Sequence, residues 1–368
     1  MNILFDHQIF FLQQYGGVSR YFYEIANRIA EGSENKVEIF APLYVNEYFR
    51  NDSKIRPKGV KIPLLPRSKR VMAAVNTSIS RLRVKPRRDV DIFHETNYSM
   101  ADCCPRSAKR VITVYDMIHE KFADSFLQRD KTREFKAHAV RRADHVICIS
   151  ENTRRDLIEL VGVPEEKTSV VYLGYSLAMD GDAAVPALGE KPYILYVGQR
   201  GGYKNFEGLM RAYGSSLFLK NEFSLVCFGG DALNTRERAL MDSLNISSNH
   251  VKQLSGGDEV LAELYAAAAV FVYPSHYEGF GIPPLEAMSF GCPVVCANTS
   301  SLPEVVGDAA ELFDPADEVQ LCRALELVVT STARANILIE RGRERCKQFS
   351  WEKCASETLD IYKRILQG

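Results

Sequence analysis

The first apolar run of the chain, residues 2–5, is short and closes on Asp6, the pattern of a buried strand. Gly16-Gly17 follows, and then Val18, Phe22, Ile25 and Ile29 recur at helical spacing. A strand, a glycine-rich turn and a helix open a βα unit. Apolar runs at 37–40, 90–93, 111–114 and 145–149 predict further strands, with a helix near 130–142 before the last. Ser150 predicts the N-cap of a helix reaching Val161, with Thr153 and Asp156 in its first turns. The period is lost over 176–192, which is rich in Gly, Ala and Pro, and is then regained. Strands are predicted at 193–197, 224–228, 270–273 and 294–296, separated by helical stretches at 204–219, 232–244, 258–268 and 284–290. Helices end the chain, with Trp351 and Tyr362 as anchors.

Short apolar strands alternating with helices predict parallel sheets covered on both faces. The expected fold class is α/β, with two doubly wound, Rossmann-like domains at 1–175 and 193–350, a linker at 176–192 and a terminal helix over 351–368. A length of 368 residues suits two cores better than one, and 46% hydrophobic with 25% charged residues is ordinary globular composition. No apolar stretch reaches 18 residues, and the start lacks a basic region, so neither a spanning helix nor a secretory signal is expected. Nine cysteines without a CxxC pair suggest reduced thiols and a cytoplasmic protein.

A net charge of −1 gives no reason to expect a nucleic-acid partner, but it hides an uneven distribution. Between Ser53 and Arg88 there are twelve Lys or Arg and no Asp or Glu. Within this run Val71, Val75, Ile79 and Leu82 share a helical face with cations at its ends. Two readings stand: a basic amphipathic helix on an anionic membrane surface, or a solvated face.

The densest chemistry is in the second half, where Glu278-Gly279-Phe280-Gly281-Ile282 joins a strand to a helix that carries Glu286. Gly279 and Gly281 let backbone approach a ligand, and the amides near Gly281 and Ile282 suit a phosphate oxygen. Carboxylates on either side suit sugar hydroxyls, although a loop Glu and a helix-dipole Glu would look the same. Arg200 and Lys204 follow the first strand of this half and sit unfavourably near a helix start unless an anion arrives. Gly229-Gly230 either admits a nucleotide or makes a simple turn. In the first half, Gly16-Gly17 with Arg20 can be read as a phosphate approach or as a capping turn. His94-Glu95 and Tyr115-Asp116 with His119-Glu120 follow strands, as cleft groups or as structural ones. Asp89-Val90-Asp91 precedes a strand, away from the donor motifs, and the scattered histidines show no ligand spacing, so no metal is expected.

This ordered set resembles the GT-B glycosyltransferases, specifically the retaining family 4. Glu278 and Glu286 match its Glu-x7-Glu signature, and the Gly291-Cys-Pro-Val-Val, Leu302-Pro-Glu-Val-Val-Gly307 and Phe349-Ser-Trp351 segments follow its pattern. The resemblance implies a nucleoside-diphosphate sugar donor, GDP- or UDP-linked, held in a cleft between the domains. Lys204 and Arg200 would bind its phosphates, Glu286 its ribose and Glu278 its sugar. Gly16 and Gly17 would approach the donor phosphate, and the last helix would cross back to the first domain. It also implies retention of configuration without a divalent metal, and a glycan or lipid-linked glycan acceptor. Relatives often carry histidine where this chain has Tyr115, so Asp116 or His119 is expected to fill part of that role. The resemblance thus implies a hexosyltransferase, with mannose the preferred sugar. It would be cytoplasmic or peripheral on the inner membrane face. A nucleotide-sugar hydrolase or epimerase and a non-catalytic nucleotide-sugar scaffold are the rivals. A nicotinamide dehydrogenase is disfavoured by the missing GxGxxG.

Overall fold

In a computed structural model, which describes residues 1–32, 34–49, 53–64, 68–127, 129–177 and 191–367, the chain divides into two compact units. One comprises Met1–Gly174 with Trp351–Gly368, and the other Tyr175–Ser350. Most of the predicted linker, 178–190, and residues 65–67 of the basic run lie outside the described residues.

The first unit is built on β1 (Asn2–Phe5), β2 (Lys36–Tyr44), β3 (Lys58–Lys61), β4 (Ile92–Glu95), β5 (Lys109–Val114), β6 (His145–Cys148) and β7 (Thr168–Val170). Their order is β3-β2-β1-β4-β5-β6-β7, all parallel. Central strands of such a sheet are covered on both faces, which is why Ile3, Leu4, Phe5 and Val146 are all buried without alternation. Strand order reverses between β1 and β4. There the Asp6 carboxylate accepts bonds from the Thr96 amide (3.0 Å) and hydroxyl (2.5 Å), joining the two loops.

The helix Gly17–Glu31 packs against the terminal helix Trp351–Gln367 within this unit. Trp351, Cys354, Ala355, Thr358, Ile361 and Tyr362 form the buried stripe of the latter at helical spacing. The Trp351 ring meets that of Tyr21 (6.4 Å), and Arg28 pairs with Glu352 at 2.8 Å. Burying each of these aromatic side chains is worth about 2–3 kcal/mol, far more than the partly exposed ion pair.

Of the two readings open for His94 and Glu95, the structural one applies. Both are enclosed in the core, His94 at 0% and Glu95 at 1% exposure. The His94 ring bonds the Tyr362 hydroxyl through Nδ1 (2.5 Å) and Thr113 through Nε2 (2.9 Å). Glu95 pairs with Arg142 at 2.7 Å and lies 3.7 Å from Arg110. Burial pulls the His94 imidazole down to about 3. The folded chain therefore resists a proton that the unfolded chain accepts below its ordinary value of 6.5. Stability from this group is complete above that value and is lost as pH falls toward 3, at up to about 1.4 kcal/mol per pH unit. We expect His94→Asn to flatten the acid limb of a urea-stability profile by about one proton. An unchanged slope would show that His94 is not the group responsible.

The second unit contains β8 (Tyr193–Val197), β9 (Ser224–Phe228), β10 (Val251–Leu254), β11 (Val270–Tyr273), β12 (Val294–Ala297) and β13 (Ala310–Phe313). The order is β10-β9-β8-β11-β12-β13, again parallel throughout. Here the order reverses between β8 and β11, so the loops leaving those two strands border one crevice. The helical stretch foreseen at 204–219 is instead two helices, Phe206–Ser215 and Leu217–Glu222. They are divided by Ser216, whose hydroxyl caps the second through the Leu219 amide (3.0 Å).

Candidate donor site

The switch point of the second unit brings together the segments that follow β8 and β11. The Lys204 ammonium, after β8, meets Glu278 Oε1, after β11, at 2.7 Å. Lys204 also lies over the Tyr203 and Tyr273 rings, at 5.2 and 5.8 Å. The Tyr273 phenol donates to the Glu278 carboxylate; burial, then this neighbouring charge, holds the phenol well above its ordinary value, so it stays a donor. Glu278 is thus a buried carboxylate with a cation and a hydroxyl aimed at it, not a surface loop residue.

The loop is fixed from behind. The Glu278 amide donates to Ser300 Oγ (2.9 Å), and the Ser301 hydroxyl reaches the carbonyls of Glu278 (2.9 Å) and Phe280 (2.8 Å). The Phe280 ring is buried edge-on against Phe349, 5.7 Å away. Gly281 then caps the helix Ile282–Ser289 with φ +109°. A Cβ there would stand 2.7 Å from Leu302 Cδ2. We expect Gly281→Ala to cost about 1–3 kcal/mol, seen as a lowered urea midpoint. Wild-type stability would show that the backbone relaxes without strain.

Pro283 and Pro284 occupy the first turn and carry no N–H. The donors available at this helix start are therefore concentrated at Gly281 and Ile282. Glu286, one turn further on, is buried and receives the Tyr265 hydroxyl at 3.3 Å.

Arg200 is more constrained than its sequence position suggests. Its Nε pairs with Glu237 (3.0 Å), Nη1 donates to the Gly229 carbonyl (3.1 Å) and Nη2 to the Asp231 carbonyl. These bonds engage three of its five N–H donors. They also anchor the Gly229-Gly230 turn, where both glycines have positive φ, +86° and +70°. A Cβ on Gly230 would stand 3.1 Å from the Arg200 guanidinium. Burial above all raises the Tyr196 phenol, with the Glu278 charge adding to the effect and the Arg200 charge opposing it. Sequence reading missed Tyr273, Ser300, Ser301, Glu237 and Tyr265. Local signals existed for the serines, as polar residues ahead of the short helix Leu302–Val306, and for Glu237, which closes a capping box with Asn234.

In the first unit the candidates do not gather. Gly16 has extended backbone and is the N-cap of helix Gly17–Glu31, and a Cβ on it would overlap the Gln13 carboxamide. That carboxamide accepts the Ser19 amide (3.2 Å), so Gln13 already caps the first turn. Nothing lies within 4 Å of a Cβ built on Gly17. Arg20 leans toward Glu24 at 3.9 Å. Asp116 accepts the Ile118 amide (3.0 Å) and lies 3.7 Å from the buried Lys136, which itself pairs with Glu120 at 2.7 Å. His119 instead stacks on Phe126 (4.0 Å), with Nε2 3.5 Å from Asp130, beside a cavity of about 350 Å³. Tyr115 is buried, its hydroxyl bonded to the Thr96 carbonyl (3.1 Å).

Among the described residues no three His, Cys, Asp or Glu gather as a metal site. Asp89 is bonded to Arg87 (2.8 and 2.9 Å) and Asp91 to the Asn2 amide (2.7 Å).

Two parallel sheets of Rossmann order, one with a cation and two carboxylates at its switch point, define the class: the GT-B architecture. Residues 15–178 match the model described as Glycosyltransferase Family 4, and residues 182–345 match Glycosyl transferases group 1. Taken together these two models span most of the chain, which belongs to the GT-B-fold glycosyltransferases. It accordingly moves a sugar from a nucleotide-sugar donor to an acceptor. O-antigen chain mannosyltransferase B of Escherichia coli is 29% identical over 95% of this chain and 96% of its own length. Serotype-specific mannosyltransferase WbdA of Escherichia coli is 28% identical over 82% of this chain, which spans only 39% of WbdA. Sucrose-phosphate synthase from Thermosynechococcus elongatus has the same fold, with a TM-score of 0.75 over 100% of this chain and 99% of its own, at 21% identity.

Proposed function

We propose that the chain transfers a hexosyl group, mannose in our reading, from a nucleoside-diphosphate sugar to a hydroxyl of a glycan or lipid-linked glycan, with retention of configuration. The observation that carries this reading is the 2.7 Å pair of Lys204 and Glu278 beside the Gly281–Ile282 helix start. Mannosyl transfer is supported by the mannosyltransferases among the relatives, above all the one similar along nearly its whole length. The nine cysteines, each unpaired, fit a cytoplasmic reaction.

In this reading the diphosphate takes the amides of Gly281 and Ile282 and shares the Lys204 ammonium with Glu278. Arg200 contributes its charge and holds the Gly229-Gly230 turn. Glu286 accepts from the ribose. As the bond to the anomeric carbon breaks, negative charge grows on the phosphate oxygen, where Lys204 and fixed N–H dipoles need no reorganisation to meet it. Glu278 orients the hexose hydroxyls and sets negative charge near the carbon that becomes electron-poor. On the acceptor side we assign Asp116 and His119 separate roles, since they have different partners. A panel of GDP- and UDP-sugars with lipid-linked glycan acceptors, read by mass spectrometry and by NMR of the new anomeric proton, tests the proposal. Sugar release that is indifferent to any acceptor would overturn it in favour of a hydrolase, and an inverted product would remove retention.

A further inference from the structure

Helix Ser68–Arg83 is held to its unit by an unusual face. Its buried residues are Met72, Asn76 and Ser80. The Asn76 carboxamide brackets the backbone of Leu43, accepting its N–H (2.7 Å) and donating to its carbonyl (2.9 Å). Ser80 Oγ meets His7 Nδ1 at 3.2 Å. These polar bonds fix the roll of the helix. The apolar stripe anticipated from the sequence is consequently not the core face: Val71 is 65% and Leu82 75% exposed, with Val75 and Ile79 half-buried between them. At 3.6 residues per turn, the four side chains leave the helix within an arc of roughly 80°.

Cations border that arc. Arg70 and Arg81 fall to one side of it at the same helical pitch, and Lys85 follows in the turn after the helix. A groove of about 780 Å³ beyond Leu82 is lined by Arg81, Lys85, Arg87, Arg88 and Arg106. Lys85 is paired with Asp102 (3.0 Å), and Arg87 with Glu38 (3.0 Å) and Asp89 (2.8 Å). Arg81, Arg88 and Arg106 form no ion pair among the described residues, so the groove is left net positive.

We propose that this face docks on the surface of an anionic phospholipid bilayer. Val71, Val75, Ile79 and Leu82 would enter the acyl boundary, while the Arg81–Arg88–Arg106 groove takes lipid phosphates. The combination selects the occupant. Cations alone would suit any polyanion, and an apolar stripe alone would suit a second copy. Self-pairing of this face would set arginine against arginine, whereas a bilayer offers anionic headgroups directly above an apolar layer. Among the described residues no helix is long and apolar enough to cross a membrane.

The experiment is flotation of the full chain with vesicles of phosphatidylcholine, with and without phosphatidylglycerol, at low and high salt. Two double variants are compared with the wild type: Val71→Asp with Leu82→Asp, and Arg81→Glu with Arg88→Glu. All four positions are exposed, and circular dichroism with donor turnover verifies the fold. We expect low-salt binding that requires phosphatidylglycerol and falls at least about tenfold in each variant, given roughly 1 kcal/mol per basic side chain near such a surface. Failure of the wild type to float, or equal flotation of wild type and both variants, overturns the proposal. So does self-association without lipid that the variants abolish.

Discussion

Lys204→Ala is expected to lower kcat/KM for the nucleotide sugar by between about tenfold and several hundredfold, in a chain that remains folded. A charged hydrogen bond to phosphate is worth about 1.5–3 kcal/mol, which is roughly one to two decades in rate. The geometry adds to this, because the same ammonium sits 2.7 Å from a buried carboxylate. Without Lys204, Glu278 stands near the diphosphate as an uncompensated negative charge. The two contributions separate in a double-mutant cycle with Glu278→Gln. If repulsion from Glu278 dominates, the neutral glutamine restores donor binding to Lys204→Ala. If the direct phosphate contact dominates, it does not. Wild-type kcat/KM in Lys204→Ala would remove this residue from the phosphate site.

The pairing of Lys204 with Glu278 also shows which information a linear sequence carries. Each was readable as a candidate from its place after an apolar strand and near a glycine. That they touch across 74 positions follows from strand order, with β8 beside β11 at the reversal. Order among parallel strands is set by crossover connections rather than by hydrophobic period. The helix Glu151–Val161 was legible because its signals are local, the Ser150 hydroxyl capping the Thr153 amide at 3.0 Å. The strands that escaped, β3, β7, β10 and β13, are the outer ones or lie at sheet ends. β3, Lys-Gly-Val-Lys, is exposed at every position, so it shows neither the alternation nor the apolar run by which a strand is recognised.

In helix Ser68–Arg83 the residues that share the apolar face were legible, and what buries the opposite face was not. Its apolar period is real, but Asn76 and Ser80 decide its orientation through bonds to Leu43 and His7, elements far away in sequence. Periodicity assumes that burial follows hydrophobicity. A buried carboxamide that satisfies the N–H and C=O of Leu43, at the irregularity between β2 and β3, sets the buried face instead, because leaving those groups unpaired would cost about as much as exposing two aliphatic side chains. His94 was left between a cleft and a structural reading for a similar reason. It follows the pattern of a residue at a strand's carboxyl end, yet Tyr362 of the terminal helix and Thr113 of β5 enclose it.

Glu278→Gln is expected to separate binding from chemistry more sharply than any other substitution in the donor site. Glutamine keeps the size and the acceptor oxygen, so the Ser300 and Ser301 bonds to the loop backbone remain. The Lys204 ammonium loses its carboxylate partner and turns wholly to the diphosphate. The free nucleoside diphosphate should therefore bind as well as to the wild type, or more tightly. The transition state loses a fixed negative charge beside a carbon that is becoming positive, together with charge-assisted bonds to the hexose hydroxyls. Together these losses amount to about 3–4 kcal/mol, so kcat should fall by roughly two to three decades. Calorimetry of the nucleotide and single-turnover transfer measure the two quantities independently. Wild-type transfer rates would deny Glu278 its part in the reaction. Parallel losses of nucleotide affinity and transfer would mean instead that its carboxylate holds the loop together, with Lys204 as its structural partner.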